Sequence, residues 1–237
     1  MNHSLQEIAH LFLSAQGEMG MPPEPPSLSA EFDPEQIFCL DHFFPNRQQW
    51  VLIGQCHQLC RAIIAGMLSK KLVENPSALL QRFAHGLSCQ EEITSIENLI
   101  ETAVRPWREI LEKEAVHFTE SISDLHAEIT ADTPLIQELL GHLIQNSLEG
   151  LKKVQGRPRQ LSLRVDVSEK DLFLTVRDTG PGVPFDALPR LLFPFYGSGT
   201  GLGLVWVCQI LQLHRGQIKF WSRPDTGTEV YLRLPRK

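Results

Sequence analysis

The spacing of apolar positions divides this chain into an all-helical first half and a second half in which strands and helices alternate. In residues 4–16, Leu5, Ile8, Phe12 and Ala15 share one helical face, and Ser4 with Glu7 forms a capping box. Pro22-Pro23-Glu24-Pro25-Pro26 is a stiff linker, and Asp33-Pro34-Glu35 opens a short helix that Pro45 ends after Phe44. Across residues 46–71, Leu52, Cys56, Leu59, Ile63 and Met67 alternate in steps of four and three, which predicts one long helix. Asn75-Pro76-Ser77 reads as a turn. A second long helix then carries Leu80, Phe83, Leu87, Ile93, Ile96, Ile100 and Ala103 until Pro106 interrupts it. The two make an antiparallel hairpin, with more apolar stripe than one hairpin can bury; a dimer closing a four-helix bundle resolves the excess.

The second half switches period. Residues 116–121 and 125–130 read as strands, and Asp132-Thr133-Pro134 opens an amphipathic helix that carries Asn146. Strands at 161–167 and 172–178 alternate cleanly. After Gly201 comes an apolar helix that Gly216 terminates, and strands 218–222 and 229–234 form a hairpin around Pro224-Asp225-Thr226-Gly227. The expected fold class is α+β: a helical hairpin, then an α/β sandwich with helices on one face of a mixed sheet.

Two glycine-rich loops carry the candidate chemistry. Gly197-Ser198-Gly199-Thr200-Gly201-Leu202-Gly203-Leu204 leads directly into a buried helix, where glycines allow close backbone approach and the exposed N–H groups of a helix start favour an anion. Asp178-Thr179-Gly180-Pro181-Gly182 ends an alternating strand, presenting one carboxylate beside room for a flat ligand. Composition narrows the picture further. A formal charge of −6 argues against a general nucleic-acid or membrane-surface binder, which would need a basic face. No apolar run reaches membrane-spanning length and no signal peptide opens the chain, so a cytoplasmic protein without membrane insertion is expected. The five cysteines lack paired CxxC spacing and read as reduced thiols, small buried apolar groups rather than metal ligands.

Asn146, Asp178-Thr179-Gly180-Pro181-Gly182, Pro194-Phe195-Tyr196 and Gly199-Thr200-Gly201-Leu202-Gly203-Leu204 resemble, in order and spacing, the asparagine, first glycine, phenylalanine and second glycine boxes of sensor histidine kinases. The resemblance covers roughly residues 112–237 and extends to the ATP-binding domain shared with gyrase, Hsp90 and MutL. It implies domains at 1–44 (helical segment and linker), 45–111 (dimerisation and phosphoacceptor hairpin) and 112–237 (ATPase domain). It implies that Asp178 reads adenine, supported by Thr228, and that Asn146 holds Mg²⁺. Gly180 and Gly182 then flank the base, while Gly199, Thr200, Gly201, Leu202, Gly203 and Leu204 cradle the phosphates of ATP. His57, midway along the first long helix, matches the phosphoacceptor by position; His85 lies too near the end of the hairpin, and His42 precedes it.

Several positions depart from the family pattern. His142 stands one turn before Asn146, where kinases carry a second asparagine and hydrolysing relatives a glutamate. Glu149 replaces a lysine three residues after Asn146, with Lys152 and Lys153 a turn later. The lid between Tyr196 and Gly199 is short and without a basic residue, leaving that role to Arg190. Gln58 follows His57 where an acidic group usually draws off the imidazole proton. The expected function is an ATP-dependent histidine kinase that autophosphorylates His57, with His142 as a second catalytic candidate, and passes the phosphoryl group to a response-regulator receiver domain. It would act as a homodimer, with input from the N-terminal segment or a separate sensor protein. The alternative is a dimeric phosphotransferase or adapter whose nucleotide site has degenerated.

Overall fold

The computed structural model describes residues 86–192 and 201–236 continuously, with His42 and Phe43, and His57, Gln58, Cys60, Arg61, Ile64, Ala65, Leu68, Arg82 and His85 ahead of them. The helix expected at 4–16, the proline linker and the Asn75-Pro76-Ser77 turn lie outside these residues, as do Gly199 and Thr200.

The elements in chain order are β1 (His42–Phe43), β2 (Glu92–Ser95), α1 (Ile96–Lys113), β3 (His117–Ile122), β4 (Glu128–Ala131), α2 (Thr133–Leu151), β5 (Gln160–Val167), β6 (Asp171–Asp178), a 3₁₀ segment (Phe185–Leu192), α3 (Gly203–Leu213), β7 (Gln217–Arg223) and β8 (Gly227–Pro235). Six strands form one mixed sheet in the order β1-β7-β8-β6-β5-β3, parallel only between β3 and β5; β2 and β4 pair separately. Strand alternation decides what faces inward: Leu161, Leu163 and Val165 on β5 and Leu172, Leu174 and Val176 on β6 are buried against the helices. Helix α2 is the centre of the helical layer. Asp132 caps it by accepting from the Leu135 N–H at 3.0 Å, Pro134 lies in its first turn, and Leu135, Ile136, Leu139, Leu140, Leu143, Ile144 and Leu148 form its buried stripe.

The spacing of apolar residues misplaces several boundaries. The second long helix does not run to Ala103. It stops at Gly86, which adopts φ +84° and donates its N–H to the Arg82 carbonyl at 3.0 Å. Ile93, placed on the buried stripe by spacing, lies on β2 and is 72% exposed. A new helix starts at Ile96 because Ser95 accepts from the Asn98 N–H at 3.2 Å, and it passes through Pro106 to Lys113. Pro106 removes one hydrogen bond, but Ile96, Leu99, Ile100, Ala103, Val104 and Leu111 bury enough surface to hold the helix against α2 and the sheet. Arg108 on α1 pairs with Glu120 on β3 at 3.1 Å, and Lys152 at the end of α2 pairs with Glu114 at 2.8 Å. Residues 92–113 therefore pack with the sandwich.

Three smaller corrections follow. His42 and Phe43, expected on a helix, pair with Trp221 and Phe220 of β7; a sheet partner satisfies backbone groups that an isolated short helix could not hold. The strand expected at 125–130 begins only at Glu128, because Asp124 turns the chain by accepting from the N–H groups of His126 and Ala127. The left-handed residue ending α3 is Arg215 (φ 55°), not Gly216; the N–H groups of Arg215 and Gly216 bond the carbonyls of Gln212 and Leu211 at 3.1 and 2.7 Å.

Candidate functional site

Pairing of β6 with β8 sets Asp178 directly opposite Thr228, so a carboxylate and a hydroxyl meet at the end of the central strands. The Asp178 carboxylate accepts from the Gly180 N–H at 2.7 Å and from the Ser147 hydroxyl at 3.0 Å. Ser147 directly follows Asn146, on the buried side of α2. Burial pushes the Asp178 carboxyl above the usual carboxylate range, against hydrogen bonds from Gly180, Ser147 and the Thr228 N–H and the nearby Arg157 charge. A carboxylate has about four acceptor sites, so capacity remains for an exocyclic amine.

The loop after Asp178 is braced from outside. Gly182 (φ +67°) passes so close to the β7–β8 turn that a Cβ would lie 1.9 Å from the Arg223 carbonyl oxygen; at Gly227 (φ +129°) a Cβ would lie 2.0 Å from that of Asp178. Arg157 donates to the Gly180 carbonyl at 2.6 Å and to the carbonyl of Asp225, and the Asp225 N–H donates to the Pro181 carbonyl at 2.7 Å. The Ser222 hydroxyl lies 2.8 Å from the Thr228 hydroxyl and accepts from the Val183 N–H, also at 2.8 Å. Together these contacts fix the Asp178 end.

The other end forms where α3 meets α2. Gly201 takes φ +60°, and Leu202, at the cap position of α3, supplies no side-chain hydrogen bond, leaving the first N–H groups of the helix to a ligand. A Cβ at Gly203 would lie 3.6 Å from Asn146 Oδ1 and 3.6 Å from His142 Nδ1, so these three residues converge. His142 Nε2 is buried without a hydrogen-bond partner, and burial lowers the imidazole pKa, keeping it neutral. A groove of about 390 Å³ between α1 and α2, lined by Trp107, Gly141, His142 and Gln145, opens on the same turn; its lining does not include Asp178.

His57 sits apart from both ends. It is 3% exposed, and Nε2 donates to the Leu192 carbonyl at 2.9 Å, while Nδ1 is buried without a partner. Burial drives its pKa from 6.5 down to about 4, and only the Leu192 contact opposes that shift. Arg190, the expected lid cation, is exposed on the 3₁₀ segment. Among the described residues, no three of His, Cys, Asp and Glu gather as metal ligands. No helix among them is long and apolar enough to cross a membrane. Sequence reasoning missed Ser147, Arg157 and Ser222. Only Ser147 carried a signal, its place one residue after Asn146.

Residues 131–237 match a family model described as histidine kinase-, DNA gyrase B-, and HSP90-like ATPase. The chain is 35% identical over 112 residues to the sensor histidine kinase TmoS of Ectopseudomonas mendocina, covering 45% of this chain and 12% of that protein. It is 25% identical over 189 residues to the sensor protein CreC of Escherichia coli, covering 73% of this chain and 39% of that one. The chain thus spans less than half the length of these relatives. In fold it is similar to the catalytic domain of histidine kinase ThkA, with TM-score 0.55 and 21% identity over 62% of this chain and 96% of that domain. It is also similar to ThkA in complex with the response regulator TrrA, with TM-score 0.58 and 17% identity over 86% of this chain and 64% of that one.

Proposed function

Because residues 131–237 form an ATP-binding domain of the sensor histidine kinase type, we propose that the chain is the kinase module of a two-component phosphorelay. The observation that carries this reading is the pairing of two ends on α2: Ser147 reaches Asp178, and Asn146, with His142, faces Gly203. Adenine lies against Asp178 and the phosphates on Gly201, Leu202, Gly203 and Leu204, continued by Gly199 and Thr200. Asn146 Oδ1 suits Mg²⁺ held mainly by phosphate and water, where the metal would supply charge neutralisation.

His57 is the acceptor in this reading, and its neutral imidazole is the form a nucleophile needs. Its Nε2 lone pair forms the N–P bond while the bond from the γ-phosphorus to the bridging oxygen breaks and ADP leaves. In the described geometry Nε2 carries the proton given to Leu192, so that contact must open and the proton must pass to Nδ1 first. Gln58 offers no base for it, which makes slow transfer the expectation. The phosphoryl group then goes to a receiver-domain aspartate, and two chains dimerise through the hairpin expected within residues 45–111. The burial of His57 on Leu192 also favours a second reading, an adapter that binds nucleotide without transfer. Incubation with γ-labelled ATP separates the two. Acid-labile, alkali-stable label lost in His57→Ala, kept in His85→Ala and gained faster in Gln58→Glu supports the kinase. ATP binding with no label in any variant supports the adapter.

A further inference from the structure

Beyond the N–H groups at the start of α3, the phosphate end receives no cationic side chain from its own helices: neither α2 nor α3 carries a lysine or arginine. A metal-bound triphosphate remains anionic, while His142 is held neutral and position 149, where a lysine is expected, is glutamate. The charges bearing on His142 are Glu138 and Arg82. Arg82 comes from the helical segment ahead of the sandwich, in the last turn before Gly86. Its guanidinium forks onto Glu138 at 2.6 and 3.0 Å and lies 5.2 Å from the centre of the Trp206 ring. Glu138 is one turn before His142 on α2, and Trp206 is one turn after Gly203 on α3. Arg82 thus stands a single turn, about 5.4 Å of helix rise, beyond the residues that converge on the phosphate end, within reach of a long side chain.

Resting on the kinase reading and deepening it, we infer that Arg82 is a positioning residue for the terminal phosphate of ATP, exchanging the Glu138 carboxylate for it. The planar fork that fits a carboxylate fits two phosphate oxygens equally well, and the indole face of Trp206 keeps the guanidinium oriented through the exchange. ADP lacks the competing group, so with ADP the arginine stays on Glu138. The exchange also carries information. Arg82 belongs to the segment that bears His57, so the γ-phosphate is registered on the part of the chain that must move for transfer.

Calorimetric titration of the full chain with Mg-ATP and Mg-ADP, as wild type, Arg82→Gln and Glu138→Gln, tests this. Arg82→Gln is expected to weaken ATP about tenfold and to leave ADP within about twofold, since one charge-assisted fork to the γ-phosphate is lost. Glu138→Gln is expected to tighten ATP, because the competitor for the fork is weakened, with ADP unchanged. Equal changes for both nucleotides, or none, would overturn the exchange and leave Arg82 a structural clamp. If a thermal melt shows Arg82→Gln unfolded, Glu138→Gln decides alone, and unchanged or weaker ATP binding sinks the inference. A wild-type chain that binds neither nucleotide overturns the kinase reading along with it.

Discussion

The two ends of the candidate nucleotide site are built in opposite ways. At the Asp178 end nearly every polar group is committed to the protein: the carboxylate to Gly180 and Ser147, the loop to Arg157 and Asp225, Thr228 to Ser222. Glycines lie against carbonyl oxygens with no room for a methyl group. At the phosphate end a helix start has no side-chain cap, one imidazole nitrogen is buried without a partner, and the cation that bears on it, Arg82, is held by the half-buried Glu138 carboxylate. A base-reading surface can be made in advance from backbone and short side chains. A phosphate site built in advance to the same degree would need like charges held together with nothing between them, so its cation is lent from outside.

The strongest way to break this contrast is Gly227→Ala. The new Cβ meets the Asp178 carbonyl, and the expected loss of stability in urea unfolding is roughly 4 kcal/mol. A near-neutral result would show that the Asp178 end yields. Acid probes a group that lies outside both ends. The His57 pKa is depressed, so the unfolded chain binds more protons and stability falls as pH drops from 6.5 toward 4, by on the order of 3 kcal/mol in full. His142 titrates in the same direction and Asp178 in the opposite one. Unfolding measured across that range should lose most of its slope in His57→Gln; an unchanged slope removes His57 as its source.

Asp178→Asn is next in size. It should weaken ATP by roughly 1.5–3 kcal/mol in calorimetry with the fold intact, since an amide cannot accept from both Ser147 and Gly180 and still receive adenine. Unaltered affinity would remove the adenine assignment. Ser147→Ala is the mildest, at about 1 kcal/mol in unfolding, with a several-fold weaker ATP titration. If stability changes and affinity does not, Ser147 braces α2 without tuning the carboxylate.

The sandwich was legible because its signals are local and redundant. β5 and β6 alternate without a break, Asp132-Thr133-Pro134 starts α2 as read, and the glycine loops sit where strand becomes turn and turn becomes helix. The region between Gly86 and Ser95 was not legible, because apolar residues fall at helical intervals across it by coincidence. The left-handed Gly86, the pairing of β2 with β4 and the Ser95 cap separate one helix from the next. Pro106 misleads for the opposite reason: it is a helix breaker, yet tertiary burial of α1 outweighs one missing hydrogen bond. Arg157 and Ser222 act through carbonyls and amides far away in sequence, and no residue pattern along the chain announces such bonds.

The two-residue β1 has a consequence beyond topology. Among the described residues it pairs with Trp221 and Phe220 of the seven-residue β7, and it occupies the outer rim of the six-stranded sheet. A shortened chain beginning after Pro45 would keep every residue of the nucleotide site and still uncover a rim rich in β-forming residues, a template for strand addition by a second molecule. Aggregation on truncation would then come from an intact domain.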